Sequence, residues 1–409
     1  MKKVLVVGAG GQGGPCTSIL ARDKNVTDVV LGDLDIELAN KVKSKIRSDK
    51  ISTVKVDAEK VEELERAARG VDAVIDLTPP QLNTNIMRAA LRSGAQYVNT
   101  AIDYPIMAQL TRRKVPEIDK EFKKAGLTAL IGCGGTPGVS NVLVKYACEK
   151  LDQVESICLR CSGKIMQKPQ DIISAWDPGW SPRTAIIDYA EEPIVFENGE
   201  YKRYPPFSGR EEYEFTPFGK ILLSHHSHEE VAMLPYFIGK GVQYVDFKYP
   251  VDIRAGNLIQ LGFASDKPID VKGVKVSPLD VLTKLVRFPA NAFFTEDEAV
   301  KHPVDFAKII VIKVKGVRAG EDKEYIISYR YNLFATTEDM LEIYRKFGTI
   351  NIYVALPVIV GAKMCVGGFA DKGVIGPECL DPIKFLKTMA DVGWPVKFQE
   401  TISEDVYVS

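Results

Sequence analysis

The sequence predicts an α/β protein, with a doubly wound parallel sheet in the first domain and a second α+β domain built on a mixed or antiparallel sheet. Three observations support this fold class. Short apolar runs alternate with amphipathic segments up to Ile131, as in a sheet covered by helices. Near Gly132 the texture changes, and a long stretch rich in proline, glycine and aromatic residues follows. Later segments such as Val311–Val317 alternate apolar and polar residues in a period of two, which is typical of a strand with one solvated face.

The N-terminal strands are predicted from apolar runs that end in glycine or a polar residue, as buried parallel strands do. They are Lys3–Gly8, Val26–Asp33, Thr53–Val56, Ala73–Leu77, Tyr97–Thr100 and Leu127–Ile131. Apolar positions three or four residues apart predict helices between them. These helices run up to Arg22 and over Ile36–Ser48, Val61–Arg69, Asn83–Ser93 and Val115–Ala125. Strands and helices that alternate in this way form a Rossmann-type doubly wound sheet.

The strands of the second domain are predicted over Val154–Ile165, Ile194–Phe196, Tyr244–Ile253, Ile309–Val317 and Glu324–Tyr331. The apolar run Ile350–Ala370 contains many small residues and predicts a buried helix. A membrane span would rarely carry Asn351, Pro357 and Lys363 together. The pattern of Asp381–Val392 predicts a last, amphipathic helix.

Composition narrows the class of protein. The 409 residues are enough for two or three domains, and the net charge of −1 lacks the overall signature of a nucleic-acid binder. The seven cysteines include the pair Cys158 and Cys161, but no second pair as in a zinc ribbon. Glycines interrupt the apolar N-terminus where an export signal would continue. We therefore expect a cytoplasmic protein with reduced thiols and with neither nucleic acid nor a membrane as partner.

A glycine-rich loop joins the first strand to the first helix. Its residues Gly8, Gly10 and Gly13 match G-x-G-x-x-G, with Gly11 and Gln12 between them. The first glycine permits a tight turn, the second lets a pyrophosphate approach, and the third allows the helix to pack on the strand. The helix N-terminus offers free N–H groups to phosphates. A strand–helix turn without a ligand is the alternative; the context favours dinucleotide binding.

Asp33 ends the second strand, twenty residues after the last glycine of the loop. A carboxylate there accepts both ribose hydroxyls of NAD and repels a 2′-phosphate, so we expect NAD rather than NADP. A surface turn is the alternative role. Further residues follow the carboxyl ends of other strands, where ligands bind in such sheets. They are Asp57, with a helix cap as the alternative, and Thr78, Pro79, Thr100 and Ala101.

Two motifs resemble the saccharopine dehydrogenase family. The segment Gly132–Asn141 resembles the glycine–proline turn that leaves the family's nucleotide domain, and we include Gly138 among the predicted cofactor-contacting residues. The stretch from Ala355 to Phe398 resembles the closing element, with a small-residue helix, the loop around Pro377 and an amphipathic helix. The family includes saccharopine reductase, carboxynorspermidine dehydrogenase and lysine 6-dehydrogenase.

The resemblance implies NAD(P)-linked chemistry at a carbon–nitrogen bond of an amino acid or related amine. It also implies three parts, a dinucleotide-binding domain (1–137), a substrate and dimerisation domain (138–349) and a C-terminal segment that returns to the first (350–409), in a homodimer. Thr136 stands where saccharopine reductase has an aspartate, and Leu223–Glu230 lacks that enzyme's arginine. These departures favour the lysine 6-dehydrogenase branch or a relative of unassigned activity.

The candidate catalytic residues are rare or well placed in the chain. His225, His226 and His228 are three of the four histidines, and imidazoles suit proton transfer at an amine. On an extended segment His226 and His228 share one face, so we expect them to be catalytic and His225 to contact substrate. A solvated loop is one alternative, and a metal site with Glu229 or Glu230 another, although we expect no metal.

Asp103 and Tyr104 follow the fifth strand, where a nicotinamide ring would face substrate. Asp103 is a candidate base, with a helix-cap carboxylate as the alternative, and Tyr104 a candidate substrate contact. The loop Ser174–Arg183 predicts a pocket wall or a packing loop, with Arg183 as a carboxylate clamp. The sequence thus predicts an NAD(P)-dependent oxidoreductase acting at an amine-bearing carbon. A nucleotide-sensing protein without turnover and a metal-dependent hydrolase using His225–Glu230 are the alternatives.

Overall fold

The computed structural model describes residues 1–166, 176, 178, 181–216, 218–286, 305–321 and 323–406. Two large sheets organise this part of the chain, and a third sheet is a small hairpin. The strands are β1 Lys3–Val7, β2 Asp28–Asp33, β3 Ile51–Lys55, β4 Ala73–Asp76, β5 Gln96–Asn99, β6 Thr128–Leu130, β7 Gln153–Met166, β8 Ile194–Glu197, β9 Glu200–Arg203, β10 Glu211–Glu214, β11 Lys220–His225, β12 Tyr244–Pro250, β13 Ile269–Val271, β14 Val274–Val276, β15 Asp305–Val317, β16 Lys323–Ala335, β17 Gly373–Ile375 and β18 Phe398–Val406.

Most helices cover the faces of the two large sheets. They are α1 Gly13–Arg22, α2 Ile36–Ile46, α3 Val61–Ala67, α4 Asn83–Ser93, α5 Tyr104–Thr111, α6 Asp119–Ala125, α7 Val139–Cys148, α8 Pro182–Ala190, α9 Glu230–Ile238, α10 Ile253–Gln260, α11 Pro278–Leu285, α12 Thr337–Phe347, α13 Ile352–Val366 and α14 Pro382–Asp391, with short 3₁₀ turns at Pro80–Leu82 and Pro377–Cys379.

The first sheet has seven parallel strands in the order β17-β6-β5-β4-β1-β2-β3. The order reverses at β1, and β2 and β4 lie on its two sides. In open α/β sheets ligands bind beyond the carboxyl ends of the strands at such a reversal. The predicted doubly wound parallel sheet is confirmed, and its reversal point fixes where a ligand would lie.

The second sheet is mixed. Its main path is β10-β11-β12-β7-β15-β16-β18, and β8 and β9 extend from β12. The pair β12 and β7 is parallel, and the other pairs are antiparallel. The period-two pattern of β15 agrees with its burial, because Ile312 and Val314 are buried while Lys313 is exposed. The predicted second α+β domain on a mixed or antiparallel sheet is thus confirmed.

The C-terminal segment contributes to both large sheets. Strand β17 adds an edge to the first sheet beside β6, whereas β18 pairs with β16 in the second sheet. We expected this segment to return to the first domain, and β17 does so; β18 in addition covers the edge that the long β16 would otherwise leave open. Helix α13 confirms the predicted buried helix, and it packs against α1, β4 and β5.

One helical stretch of the described residues, Glu338–Val366, is long enough and apolar enough to cross a membrane when only length and composition are considered. However, 67% of its most apolar window is buried inside the protein, as in a core helix. Its burial against the first sheet explains why this stretch is so apolar, since a core helix has no solvated face.

One predicted helix start differs from the structure, and one predicted loop is only partly described. Helix α6 begins at Asp119 rather than Val115, because Pro116 disfavours a helical conformation in the residue before it. Half of the loop Ser174–Arg183 that the sequence predicts as a pocket wall or a packing loop, residues 174, 175, 177, 179 and 180, lies outside the described residues. Trp176 of that loop is buried, and its indole N–H donates to Asp252 at 3.1 Å. Its position agrees with the packing alternative for this residue.

Candidate active site

A cleft of about 2260 Å³ opens between the carboxyl ends of the first sheet and the second sheet. Its walls come from the glycine loop, the turn Gly134–Pro137, helix α8, the segment after β11 and the start of α13. Most of the predicted site residues line it, namely Gly8, Gly10, Gly11, Gln12, Asp33, Asp57, Thr78, Pro79, Thr100, Ala101, Tyr104, Arg183, His226 and His228. Four predicted residues do not, namely Gly13, Asp103, Gly138 and His225.

The glycine loop has the geometry that a pyrophosphate requires. A Cβ atom on Gly13 would lie 1.6 Å from the Gly8 carbonyl oxygen, so no side chain fits between helix and strand. Gly10 has no atom within 4 Å of the corresponding position and leaves space for a ligand. The Gln12 side-chain oxygen is buried in the cleft wall and has no hydrogen-bond partner in the described part of the chain. This loop and the α1 N-terminus therefore fit a dinucleotide phosphate.

The carboxylate of Asp33 lies directly beside the glycine loop. One oxygen accepts a hydrogen bond from the Ala9 N–H at 2.6 Å, and the other accepts one from the Asp35 N–H at 2.8 Å. Asp57 and Glu59 line the same end of the cleft. No lysine or arginine among residues 1–162, whose side chains are all described, lines the cleft. This end of the cleft is therefore acidic in the described residues.

A buried network holds the ends of β4 and β5. One oxygen of Asp76 accepts from the Thr78 hydroxyl at 2.7 Å, and the other accepts from Asn83 at 2.8 Å and Tyr97 at 2.7 Å. Burial raises the pKa of Asp76, although these donors oppose the rise. The sequence pattern did not identify Asp76 as functional, because its partners converge only in the folded sheet. The network fixes the backbone on which Thr78 and Thr100 face the cleft.

Asp103 is a structural residue rather than a catalytic base. One of its oxygens caps α5 by accepting from the Ile106 N–H at 2.9 Å, and the other accepts from the Thr84 hydroxyl. The residue is buried and does not line the cleft. Both oxygens are thus occupied, and the predicted catalytic role is wrong because the helix-cap alternative holds.

Gly138 and His225 also lie away from the cleft. A Cβ atom on Gly138 would lie 1.8 Å from the Gly134 carbonyl oxygen, so this glycine closes a turn in which no side chain fits, and its predicted cofactor contact stays a prediction. His225 lies near Asp246, with 3.7 Å between Nε2 and the carboxylate, and its ring packs over Gly209. Strand alternation turns His225 away from His226, and the predicted substrate contact is therefore wrong.

His226 and His228 lie on one face, as the alternation predicts, and both line the cleft. The His226 ring meets the edge of Tyr189 at 4.7 Å between centroids. Burial lowers the pKa of His226 to about 3, and the charge of His228 contributes. His226 is therefore neutral at ordinary pH and cannot supply a proton as an imidazolium.

His228 has the opposite electrostatics. Its Nδ1 is hydrogen-bonded to Glu230, and its ring stacks on Phe247 at 4.1 Å between centroids. Burial opposes its charge, but the carboxylates of Glu230, Glu229 and Asp188 outweigh burial and raise the pKa of His228 to about 9. Within the described residues Nε2 has no partner, so it is the nitrogen available to a ligand. His228 can therefore hold a proton at Nε2 at neutral pH.

Glu230 fixes the orientation of this imidazole. Its second oxygen accepts from the hydroxyl of Thr136 at 2.6 Å and from that of Ser140 at 3.0 Å. Burial would raise the pKa of Glu230, but His228 and the Thr136 hydroxyl outweigh burial and lower it. Sequence reasoning considered Glu230 only as a metal ligand, because Thr136 and Ser140 lie far away along the chain. The tertiary contact gives it a positioning role.

Oxygen ligands and an imidazole nitrogen of His228, Glu229 and Glu230 lie within 4.8 Å of one another, close enough to hold a metal ion. The hydrogen bond between His228 and Glu230 already accounts for part of this proximity. A metal bound at Nδ1 of His228 would have to displace the proton of this hydrogen bond. The hydrogen bond that orients His228 thus accounts for this arrangement, and that no metal takes part stays a prediction.

An acidic group lines the cleft beside His228. It consists of Asp188, Glu191 and Glu229. Burial and the neighbouring carboxylates Glu229 and Glu191 raise the pKa of Asp188 well above its usual value. Tyr104 is 61% exposed, and its hydroxyl donates to Glu191 at 2.7 Å. These crowded carboxylates would be stabilised by a bound cation.

Arg183 lies at the rim of the cleft. Its side chain is 42% exposed, and its Nη1 donates to Asp280 at 2.9 Å. The carboxylate that Arg183 binds in the structure therefore belongs to Asp280 on α11. Its predicted role as a substrate clamp stays a prediction.

Both parts of the chain match family models. Residues 4–130 match the saccharopine dehydrogenase NADP binding domain, and residues 134–394 match the saccharopine dehydrogenase C-terminal domain. A carboxynorspermidine synthase from Vibrio cholerae is 25% identical over 99% of both chains. A carboxyaminopropylagmatine dehydrogenase from a Synechocystis species is 25% identical over 97% of both. The structure of apo saccharopine dehydrogenase (L-Glu forming) from Saccharomyces cerevisiae covers 98% of this chain and 100% of its own, with a TM-score of 0.70 and 15% identity.

Proposed function

Because this chain belongs to the saccharopine dehydrogenase family of NAD(P)-binding oxidoreductases, we propose that it acts on the C–N bond of a substrate that carries both amino and carboxyl groups. The observation that carries the proposal is the oriented His228 in the cleft that the glycine loop also lines. The two whole-chain relatives support the substrate class, since each of their names joins a carboxyl group to an amine.

The first domain would bind the dinucleotide. The α1 N-terminus and the loop backbone at Gly10 would hold the pyrophosphate, and Asp33 would accept from the ribose hydroxyls. Thr78 and Thr100, held by the strand ends, would border the nicotinamide. When bound there, the nicotinamide supplies or accepts the hydride.

His228 would transfer the proton at the reacting nitrogen. In reduction of a C=N bond the nitrogen gains a proton, and the protonated Nε2 of His228 would be its source. In oxidation the neutral Nε2 would accept the proton from the amine. Glu230 keeps Nδ1 hydrogen-bonded in both states, so that the ring does not rotate away from the substrate.

The acidic group Asp188, Glu191 and Glu229 would bind a substrate ammonium group. An ammonium in contact with these carboxylates relieves their mutual repulsion and gains charge-assisted hydrogen bonds. Such an arrangement favours amines with more than one nitrogen over simple hydrocarbons or sugars. A polyamine or amino-acid chain is therefore the proposed substrate class.

The test is turnover with a panel of amino acids and amines. We expect NAD-dependent oxidation of at least one of them, or NADH-dependent reductive condensation of an amine with an aminoaldehyde, followed at the nicotinamide absorbance. A protein that binds NAD but turns over none would instead support the nucleotide-sensing alternative. Activity that a chelator abolishes and that needs no nucleotide would favour the hydrolase. The homodimer, the cytoplasmic location and the closer likeness to lysine 6-dehydrogenase stay predictions.

Cofactor choice gives a sharper prediction. We expect NAD to bind at least about tenfold more tightly than NADP, because the 2′-phosphate would lie against Asp33 near Asp57 and Glu59. Asp33→Ala should weaken the binding of NAD and reduce the difference between the affinities for NAD and NADP. Titration of both nucleotides checks it, with Asp35→Ala as the control, since Asp35 caps α2 and does not line the cleft. A wild type that prefers NADP would contradict the ribose assignment.

A further inference from the structure

Lys308 is a cation in the cleft wall for which the described residues provide no counter-ion. It extends from β15, its side chain is half-buried, and it lines the cleft. Its ammonium lies 4.1 Å from the centroid of the Tyr353 ring. Within the described part of the chain no carboxylate, carbonyl or hydroxyl binds it. An ammonium in this position retains its full capacity to bind an anion.

The other lysine and arginine side chains lining the cleft already have oxygen partners. Arg183 is paired with Asp280, Arg254 lies 3.9 Å from Asp252, and Arg203 donates to the Glu192 carbonyl at 3.4 Å. All three come from the substrate part of the chain and lie on α8, β9 or α10. Among the lysine and arginine side chains in the described lining of the cleft, Lys308 is therefore the one that does not already have an oxygen partner.

Tyr353 connects Lys308 to the cofactor side of the cleft. Its ring lies flat against Gly135, where an added Cβ would come within 2.1 Å of the ring. The neighbouring Gly134 lies against Thr100, with 3.6 Å between the position of its would-be Cβ and that side chain. The Tyr353 hydroxyl is buried and has no hydrogen-bond partner among the residues that the structure describes. The Lys308 ammonium thus lies one ring away from the turn that borders the predicted nicotinamide position.

We propose that Lys308, held on the face of the Tyr353 ring, binds the carboxylate of the substrate. This subsite rests on the proposed function, because it presumes an amino-acid substrate in the cleft. The acidic group Asp188, Glu191 and Glu229 binds the ammonium of the same molecule, and His228 faces the reacting nitrogen between them. Charges of opposite sign at the two ends then fix the direction in which the substrate enters.

The test compares two ligands that differ by one carboxylate. L-2,4-Diaminobutyrate and 1,3-diaminopropane have the same two amino groups at the same spacing. Binding is measured with the protein saturated with NADH, because the reduced cofactor cannot accept a hydride and neither compound is then oxidised. We expect the wild type to bind the carboxylated compound about 10- to 100-fold more tightly, as a charged hydrogen bond in a half-buried site does. Lys308→Met should abolish this ratio and leave the affinities for 1,3-diaminopropane and NADH unchanged. Lys308→Arg should retain part of the ratio.

The controls separate charge from packing. Lys384→Met removes a lysine that lies 4.3 Å over the Phe369 ring but does not line the cleft, and it should change nothing. Tyr353→Phe keeps the ring and should keep the ratio, whereas Tyr353→Leu should reduce it. If Lys308→Met leaves the ratio unaffected, the subsite is overturned and the proposed function stays intact. The same conclusion follows if Lys308→Met weakens the binding of NADH as much as that of the carboxylated compound. A wild type that binds neither compound overturns both.

Discussion

Replacing His228 with glutamine is expected to lower kcat/KM by about 10²- to 10⁴-fold, the usual contribution of a general acid–base group, while the NAD affinity stays unchanged. Glutamine retains a hydrogen-bonding side chain but cannot carry the proton that His228 holds with its pKa raised to about 9. Steady-state kinetics on the first substrate found, with a separate NAD titration, measures both quantities.

The pH profile distinguishes proton transfer from simple packing. In the reductive direction kcat/KM should be level below about pH 9 and fall above it, as His228 loses its proton. Glu230→Gln removes the carboxylate that holds this proton, so the fall should move to lower pH. The same ion pair stabilises the fold fully below the ordinary imidazole pKa of 6.5, and this contribution is lost as the pH rises through about 9.

The two neighbouring histidines serve as matched controls. His225→Gln should leave kcat/KM near the wild-type value, because His225 lies beside Asp246 outside the cleft. His226→Gln should have an intermediate effect, since its neutral ring lines the cleft but cannot donate a proton as an imidazolium. Near-wild-type turnover in His228→Gln would contradict the assignment and leave His226 as the other histidine in the described lining of the cleft.

Truncation before Ile350 is expected to abolish the folded state altogether. It removes α13, in which eleven residues are buried, together with β17 and α14. Each large buried apolar side chain contributes about 1.5–3 kcal/mol, so the loss exceeds the roughly 5–15 kcal/mol of stability of an ordinary domain. The truncated chain should be recovered as insoluble protein, or as a soluble species that melts without a cooperative transition and does not bind NAD.

A pair of point variants tests the same idea without deleting a segment. Leu356→Asp places a charge in the fully buried core of α13 and should prevent folding. Ile383→Asp places the same charge on α14 at a position that is 41% exposed, and it should be tolerated. A truncated protein that stays soluble and binds NAD normally would contradict the structural role of the C-terminal segment.

The first domain could be predicted well because its information is local. A buried strand, a tight glycine turn and an amphipathic helix each leave a pattern within about a dozen neighbouring positions, and the steric demands on Gly8 and Gly13 are read from the same motif. Strand alternation likewise separated His225 from His226 and His228. By contrast, β17 has only three residues, and its place is set by β6, which no local pattern reveals.

The candidate catalytic residues show where sequence reasoning reaches its limit. Asp103 precedes Pro105 near the start of α5, and an aspartate followed by proline in the first turn signals a helix cap that could have excluded it. Glu230 carries no such signal, since its role depends on Thr136, which is 94 residues away. Lys308 is one of several lysines in β15, and only the folded sheet shows which of them faces the cleft.

The position of β17 has a consequence for how the protein is made. The edge of the first sheet beside β6 is filled by residues 373–375, which leave the ribosome long after residues 128–130 have emerged. Until then β6 exposes unpaired backbone groups, and the surface that α13 later covers stays open to water or to other chains. Contacts between such distant parts of a chain slow folding. The N-terminal domain therefore cannot complete its fold until residues 373–375 have been made, and before then the nascent chain passes through a stage in which a chaperone would find an exposed strand edge.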